Sequence, residues 1–395
     1  MRKFYFAIHL LLICFACVTC NNSPKSGAID PDCLNIKIEP SIHDSIFLSE
    51  MIESIRFIPL ESDSNALMGE INKIAYDNGF YFCQEENSNK LFCFDSEGRF
   101  IARIGKKGHG RGECLHPNAF ALNKENKEVW IIDNVTKLKK YSYSGDFIEA
   151  IDRDRSFMSD YCISNGVWYC YTEKRTNWKN DNSGDYWCNE LTVLYKNGRI
   201  ERFFPVNKDL YTTENRITIP EPTPFSELNK SITFHHTVSD VIYSIDKETS
   251  KISSKYVVDF GEKKYKRDIS QMKTMEMLDY VYAHPDQAGF ISNVVETEGF
   301  LQIRFRFAKR TNRAFYDKKT KQIKSGKPVN DIFTAPFGYI GQRDNRIIGC
   351  INDPMTIIFT DKAHAFVLPE TIKELKQLNS QSNPVLVELE FKSFK

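Results

Sequence analysis

The chain has 395 residues, with 53 Lys and Arg against 52 Asp and Glu, for a formal net charge of +1. That balance offers no strongly basic face, so nucleic acid is excluded as an expected partner. Aromatic residues make up 13% of the chain and its Gly and Pro are scattered singly, which suits many short strands better than long helices.

The first twenty residues differ from the rest. Met1-Arg2-Lys3 is basic, Phe4 to Val18 is apolar apart from His9, and polar Asn21-Asn22-Ser23-Pro24 follows. An apolar stretch this short behind a basic tip is a secretory signal rather than a spanning helix. Its end, Cys17-Val18-Thr19-Cys20, resembles a bacterial lipobox, which implies lipidation at Cys20. Cys17 stands where Leu is usual and Thr19 where Gly, Ala or Ser is usual, so an ordinary signal peptide cut near Thr19 is the alternative. A lipid on Cys20 would make the N-terminus the only membrane contact of a soluble domain. Residues 21–35 read as a flexible tether, and 36–395 as the folded domain.

Two strands open the domain, Ile36 to Pro40 and Ile55 to Leu60. A pattern written twice then dominates: Phe92 to Ile104, and Lys140 to Ile151. Each copy is an apolar strand, a polar turn ending in Gly, and a second strand opening on Phe. The spacing is 47 residues from Gly98 to Gly145. A repeat of 40–50 residues holding several short strands marks a β-propeller blade. The lone strand Ile55 to Leu60 has a natural place there, pairing into the last blade to close the ring.

Blade one takes Ile71 to Tyr76, Phe80 to Gln84, Leu91 to Phe94 and Phe100 to Ile104. Asn78-Gly79 between apolar runs signals a tight hairpin, because both positions need positive φ. Blade two takes Ala119 to Leu122, Val129 to Asp133, Leu138 to Tyr143 and Phe147 to Ile151; blade three runs from Tyr161 to Val206, with Ser164-Asn165-Gly166 as a turn and a polar insertion, Glu173 to Asp185. Blade four is assigned Ser231 to His236, Val241 to Ile245 and Tyr256 to Phe260. Met272, Met275, Leu278, Val281 and Tyr282 then fall at helical spacing, which predicts an inserted helix with these residues inward. Blade five takes Gly289 to Glu296, Phe300 to Ala308 and Arg313 to Asp317, and blade six Phe337 to Gln342, Arg346 to Ile351 and Thr356 to Phe359. Glu370 to Leu378 reads as a short helix and Val385 to Phe391 as a final strand. The count is six, with five or seven left open by the faintness of the last two blades.

The eight cysteines beyond the leader form no C-x-x-C pair, and no His stands at zinc-ligand spacing from a Cys pair. Cys83 and Cys93 flank one hairpin and could face each other, although small buried strand residues are the plainer reading.

From Ile104 to Gly145 the wording resembles an NHL-type repeat: the linker Ile104-Gly105-Lys106-Lys107-Gly108-His109-Gly110-Arg111-Gly112-Glu113, then Pro117, then Val129-Trp130-Ile131-Ile132-Asp133 and Leu138 to Gly145. With the leader and the opening Phe57-Ile58-Pro59-Leu60-Glu61, the chain is similar to the six-bladed propeller lipoproteins of Bacteroides-type bacteria. That resemblance implies an all-β, six-bladed β-propeller of the NHL or TolB-like kind with a small helical insertion. It carries little about function, since one fold hosts many activities. The glycine linker is no phosphate loop, because Pro117 and a strand follow it rather than a helix N-terminus.

In a propeller the connections leading into the inner strands form one mouth of a central channel. Here they bring His116 and Asn118, Asp160 and Tyr161, His235, Asn293 and Tyr339, a set able to bind a sugar or peptide through polar groups and aromatic faces. The plainer alternative is that they satisfy strand-end backbone groups. His235 and His236 are adjacent, so in a strand only one of them can look into the channel. No metal site, cofactor or serine-hydrolase G-x-S-x-G is indicated. The lysine- and arginine-rich pieces Glu262 to Arg267 and Arg304 to Arg313 read as solvated faces. The expected function is therefore an exported, lipid-anchored, non-enzymatic binding module for an envelope protein, glycan or peptide. The alternative is a metal-dependent lactonase or lyase-like propeller, for which Asp160, Asn293 and Asn118 could imitate the metal ligands. Asn21-Asn22-Ser23-Pro24-Lys25 lacks the acidic run of surface-export signals in such bacteria, which points to the periplasmic side of the outer membrane.

Overall fold

The apolar runs separated by turn residues pair as the repeat requires. In the computed structural model of the chain, Ile71–Asp77, Phe80–Glu85, Leu91–Phe94 and Phe100–Ile104 form an antiparallel four-stranded sheet, blade 1. The structure describes residues 29–394 other than 87–89, 135, 153–158, 173–176, 179–185, 188, 207–218 and 220. The leader, Cys20, most of the tether, most of the insertion after Glu173, and Cys188 lie outside the described residues.

Blade 2 is Pro117–Asn123, Glu128–Asp133, Lys137–Ser142 and Phe147–Asp152, and blade 3 is Asp160–Ser164, Val167–Tyr171, Asn189–Leu194 and Ile200–Pro205. Blade 4 is Phe225–Glu227, Ser231–Phe234, Val241–Asp246 and Ile252–Asp259; blade 5 is Gly289–Glu296, Phe300–Phe307, Arg310–Asp317 and Ile323–Val329. Blade 6 is Gly338–Arg343, Arg346–Ile351 and Val385–Phe391, completed by a strand from the start of the chain. The first strands of the blades surround a channel, so the fold is a six-bladed β-propeller. The predicted Asn-Gly turns are present with positive φ at both positions: 44° and 89° at Asn78-Gly79, 50° and 66° at Asn165-Gly166. Among the described residues no helix is long and apolar enough to cross a membrane.

The core is divided among the gaps between blades. Phe82, Cys93 and Ile104 of blade 1 meet Phe120, Ile131 and Tyr141 of blade 2, and comparable clusters fill each of the other gaps. The gap between blades 6 and 1 holds Ile58, Ile348 and Leu386 against Tyr81, Phe92 and Phe94. Hydrophobic burial there depends on the two ends of the chain meeting.

The N-terminal segment makes that meeting. Strand β1 (Leu34–Lys37) adds in parallel to the outer strand of blade 4, and β2 (Ser45–Phe47) does the same to blade 5. A single helical turn, α1 (Leu48–Met51), leads into β3 (Ile52–Pro59), which pairs antiparallel with Val385–Phe391 as the outermost strand of blade 6. The first expected strand thus becomes a cover for one sheet edge, and the second closes the ring. At that seam the Glu388 carboxylate is fully buried. It accepts from Arg343 at 2.9 Å, from Arg346 at 3.3 Å and from the Tyr81 hydroxyl of blade 1. Arg56 of β3 stands 3.9 Å from it.

The repeated turn glycines share one job. Gly98 has φ +81°, and a Cβ there would stand 2.3 Å from the Pro59 carbonyl oxygen of β3. Gly145 has φ +86°, and its Cβ would meet Ala102 and the Arg103 carbonyl of blade 1 at 3.2 Å. Each turn therefore leans on the outer strand of the blade before it, and β3 stands to blade 1 as blade 1 stands to blade 2. The glycine linker folds onto its own acid: Glu113 accepts from Gly110 N at 2.9 Å, and its carboxylate lies 2.0 Å from where a Cβ on Gly108 would sit.

Several expectations need correction. The inner strand of blade 4 is Phe225–Glu227, and Ser231–Phe234 is its second strand. The expected strand Thr356 to Phe359 instead gives a short ribbon, Ile358–Phe359 with Phe333–Thr334, while Val385–Phe391 supplies the third strand of blade 6. Blade 5 gains a fourth strand, Ile323–Val329. The inserted helix is α2 (Thr274–Ala283), which buries Met277, Tyr280 and Val281 but leaves Met275 and Tyr282 exposed. A second helix, α3 (Pro369–Leu375), lies near the predicted place. Cys83 pairs across the hairpin with Phe92 and Cys93 with Phe82, so the two thiols point to opposite sides of the sheet and are free. Burial pushes the Cys93 thiol up to about 12.

Two tests follow from the seam. Glu388→Gln should lower the unfolding free energy by about 2–3 kcal/mol, because it takes the anion from two half-buried guanidinium groups and a buried phenol; urea denaturation measures it. Gly98→Ala should cost about 3 kcal/mol, combining positive φ with a backbone collision. Gly198→Ala, at φ +82° with nothing within 4 Å of its Cβ, should cost only about 1 kcal/mol.

Candidate functional site

The inner strands set the channel's chemistry through their alternate inward residues. Lys73 of blade 1 donates to the Phe120 carbonyl at 2.7 Å and pairs with Asp160 at the start of the blade 3 inner strand. At the other end of these strands Lys124 pairs with Glu227 at 3.1 Å, and Lys247 approaches the same carboxylate at 3.8 Å. Burial alone would lower Lys124, yet Glu227 beside it raises it above the ordinary lysine value. Lys73, Asp160, Lys124 and Glu227 line a cavity with a volume of about 100 Å³. Ligand pockets begin near 300 Å³, so the channel interior has room for water and not for a sugar.

The seven expected mouth residues fall into four groups. His116 and Asn118 are exposed at the start of the blade 2 inner strand. The backbone leading into that strand is fixed by buried Asp133, which accepts from Leu115 N at 2.9 Å and His116 N at 2.8 Å. Asp160 lies in the channel, neutralised by Lys73. Tyr161 is buried between blades 2 and 3, stacked on Trp168 with its hydroxyl donating to the Trp130 carbonyl. The remaining three, His235, Asn293 and Tyr339, are drawn into one buried network.

That network centres on Glu221, which sequence reasoning did not single out. Its carboxylate is bonded to His235 Nδ1 at 3.0 Å and accepts from Asn293 N at 2.6 Å. Asn293 donates to the Tyr339 carbonyl at 2.8 Å and accepts from Arg313 at 3.1 Å, joining blades 4, 5 and 6. His235 is not in a segment leading to an inner strand; it follows the second strand of blade 4. His236 turns the other way, its Nδ1 2.9 Å from Glu190. Arg304 and Arg313, expected on a solvated face, are partly buried in blade 5 and stand directly opposite each other. Tyr339 and Arg313 also line a separate pocket of about 320 Å³ between blades 5 and 6.

Among the described residues no three His, Cys, Asp or Glu side chains form a group of metal-binding kind. Asp160, Asn293 and Asn118, the set that could imitate lactonase ligands, have separate surroundings. Asp160 is paired with Lys73, Asn293 is fixed in the Glu221 network, and Asn118 faces solvent.

A family model described as a domain of unknown function, DUF4934, matches residues 33–390. The chain belongs to this family. Among solved structures, this DUF4934 chain is similar to a candidate exported protein of Bacteroides fragilis, at 16% identity and a TM-score of 0.69, over 91% of this chain and 100% of that one. It also resembles a DUF4221 family member from Bacteroides vulgatus, at 11% identity and a TM-score of 0.50, over 86% and 97% of the two chains. No curated protein matches the sequence.

The end of the blade 5 inner strand gives a pH test. Glu296 is fully buried, bonded to Lys255 at 2.8 Å, Lys318 at 2.5 Å and the Tyr256 hydroxyl at 2.8 Å. Burial would raise its carboxyl, but the two lysines hold it below the ordinary value. Its stabilisation is therefore complete above the ordinary carboxyl range and is lost as pH falls through the lowered value. Glu296→Gln should cost about 3 kcal/mol at neutral pH. In melts followed from pH 7 to pH 3, the gap between wild type and variant should narrow toward the acid end.

Proposed function

We propose that the chain is an exported, lipid-anchored propeller of NHL-like build that acts as a non-enzymatic binding module in the cell envelope. It would be held at the outer membrane through Cys20 on the periplasmic side. Its partner would be an envelope protein, a glycan or a peptide, met on the face where the inner strands begin.

One contrast carries this reading. The channel carboxylates Asp160 and Glu227 are each already joined to lysine around a space of about 100 Å³, whereas the pocket beside Tyr339 offers about 320 Å³. A carboxylate held by a lysine is poorly placed to act as a general base, and a general base must also reach its substrate. A pocket at the ligand-sized end of the range, lined mostly by apolar groups with a few polar ones, suits binding. The Bacteroides fragilis relative, named as a candidate exported protein, agrees with the leader read in residues 1–20.

Two measurements test the proposal. Envelope glycans, peptides and small metabolites should raise the melting temperature of the purified chain, with no turnover of lactones or esters in the presence of Ca²⁺, Mg²⁺ or Zn²⁺. Metal-dependent turnover abolished by Asp160→Asn would overturn it in favour of the lactonase. In fractionated cells Cys20→Ser should move the protein from the membrane pellet to the soluble fraction, and unchanged pelleting would remove the lipid anchor.

A further inference from the structure

The pocket between blades 5 and 6 is assembled from parts far apart in sequence. Leu48 and Met51 of the N-terminal segment form one wall, Arg313 and Phe315 of blade 5 another, and Phe337 and Tyr339 the approach to blade 6. Its volume is about 320 Å³, and its lining contains no acidic residue. Thr311, Pro328 and Pro336 are exposed at its rim.

Two residues of this lining carry hydrogen-bond donors without acceptors among the described residues. Arg313 gives Nη1 to Asn293 Oδ1 at 3.1 Å and lays its guanidinium over the Tyr339 ring, 4.1 Å from the centroid. Its Nε and Nη2 find no acceptor among the described residues, and it forms no ion pair there. Asn330 accepts from Ile332 N and Phe333 N, both at 3.2 Å, through Oδ1. Those bonds fix which way its amide points and leave Nδ2 buried with nothing to donate to.

A guanidinium in such a place is costly. Desolvation, aided by Arg304 opposite it on the neighbouring strand, pulls Arg313 down to about 10. Like charges directly across a strand pair destabilise, and a half-buried charge with no counter-ion adds to that cost. Three buried carboxylates of this fold are matched by cations: Glu388 by arginines, Glu296 by lysines, Asp133 by Lys139. Arg313, half-buried, has no carboxylate partner among the described residues, and it lines a ligand-sized space.

We infer that this pocket binds a small monocarboxylate with an apolar body, the carboxylate seated on the Nε–Nη2 edge of Arg313. Two parallel N–H···O bonds from one guanidinium edge match a carboxylate's two oxygens. A phosphate dianion would ask for more positive charge than this lining supplies. The body of the ligand lies against Leu48, Met51, Phe315 and Phe337, which reward an aromatic or branched aliphatic group. The inference rests on the reading of the chain as a binding module and adds the chemistry of what is bound. A free carboxylic acid and the C-terminus of a peptide share that chemistry.

Titration calorimetry on the full chain tests it with phenylacetate, N-acetyl-alanyl-phenylalanine, and the uncharged amides of both. At least one acid should bind saturably, and its amide at least about tenfold more weakly. Binding of phenylacetate assigns the pocket to free acids, and binding of the dipeptide alone assigns it to peptide ends. Arg313→Gln should weaken the acid about 10- to 100-fold while leaving the melting temperature unchanged or higher. Thr311→Trp, at the exposed rim, should block access and carries the test if the first variant does not fold. Failure of both acids to bind, equal binding of acid and amide, or undiminished binding in either folded variant overturns the inference. If a neutral glycan stabilises the chain where both acids fail, the binding-module reading stands and only the ligand class falls.

Discussion

Ring closure is the constraint on which everything else rests. Each blade buries one side against its predecessor and the other against its successor, so an open arc would leave two faces bare. Here closure is made by β3, which is outer strand of blade 6 and neighbour of blade 1 at once. The Glu388 carboxylate marks the spot electrostatically. It draws two guanidinium groups of blade 6 and a phenol of blade 1 onto one buried anion, with Arg56 of β3 just beyond. Removing any one of these partners leaves a buried carboxylate less well matched, which ties the closure to this set of side chains.

The Gly98 and Gly145 turns show that this closure is a true repeat contact. Both glycines press on the outer strand of the preceding blade, and for blade 1 that strand comes from the N-terminal segment. The 47-residue spacing visible in the sequence is therefore the trace of a packing rule, with β3 recruited to satisfy it.

What was legible in the sequence was local. Asn78-Gly79 and Asn165-Gly166 announce hairpins because the φ requirement belongs to those residues alone. The first two blades follow because their strands alternate cleanly between short turns. The inner strand of blade 4 was hidden: Phe225–Glu227 is three residues long and follows Pro222-Thr223-Pro224, which reads as a loop. Arg313 was hidden for another reason. Arginines alternating with phenylalanines look like a strand with one wet face, and nothing nearby says that Leu48 and Met51, more than 250 residues earlier, come to cover it. Of the expected mouth residues, His235, Asn293 and Tyr339 do converge, but through Glu221 and inside the protein. They were expected at the mouth of a channel, and Tyr339 joins the network only through its backbone carbonyl, so the convergence was set by blade contacts that composition does not encode.

The same segment that closes the ring also sets where the chain upstream of it leaves the fold. Before reaching β3 the chain runs over the rims of blades 4 and 5, and at its upstream end Asp30 clasps Ser254 on the outer strand of blade 4 through bonds of 2.6–2.9 Å. Whatever precedes this clasp is joined to the circumference of the disc and not to its axis. An exit at the rim leaves both flat sides of the disc uncovered by the entering chain.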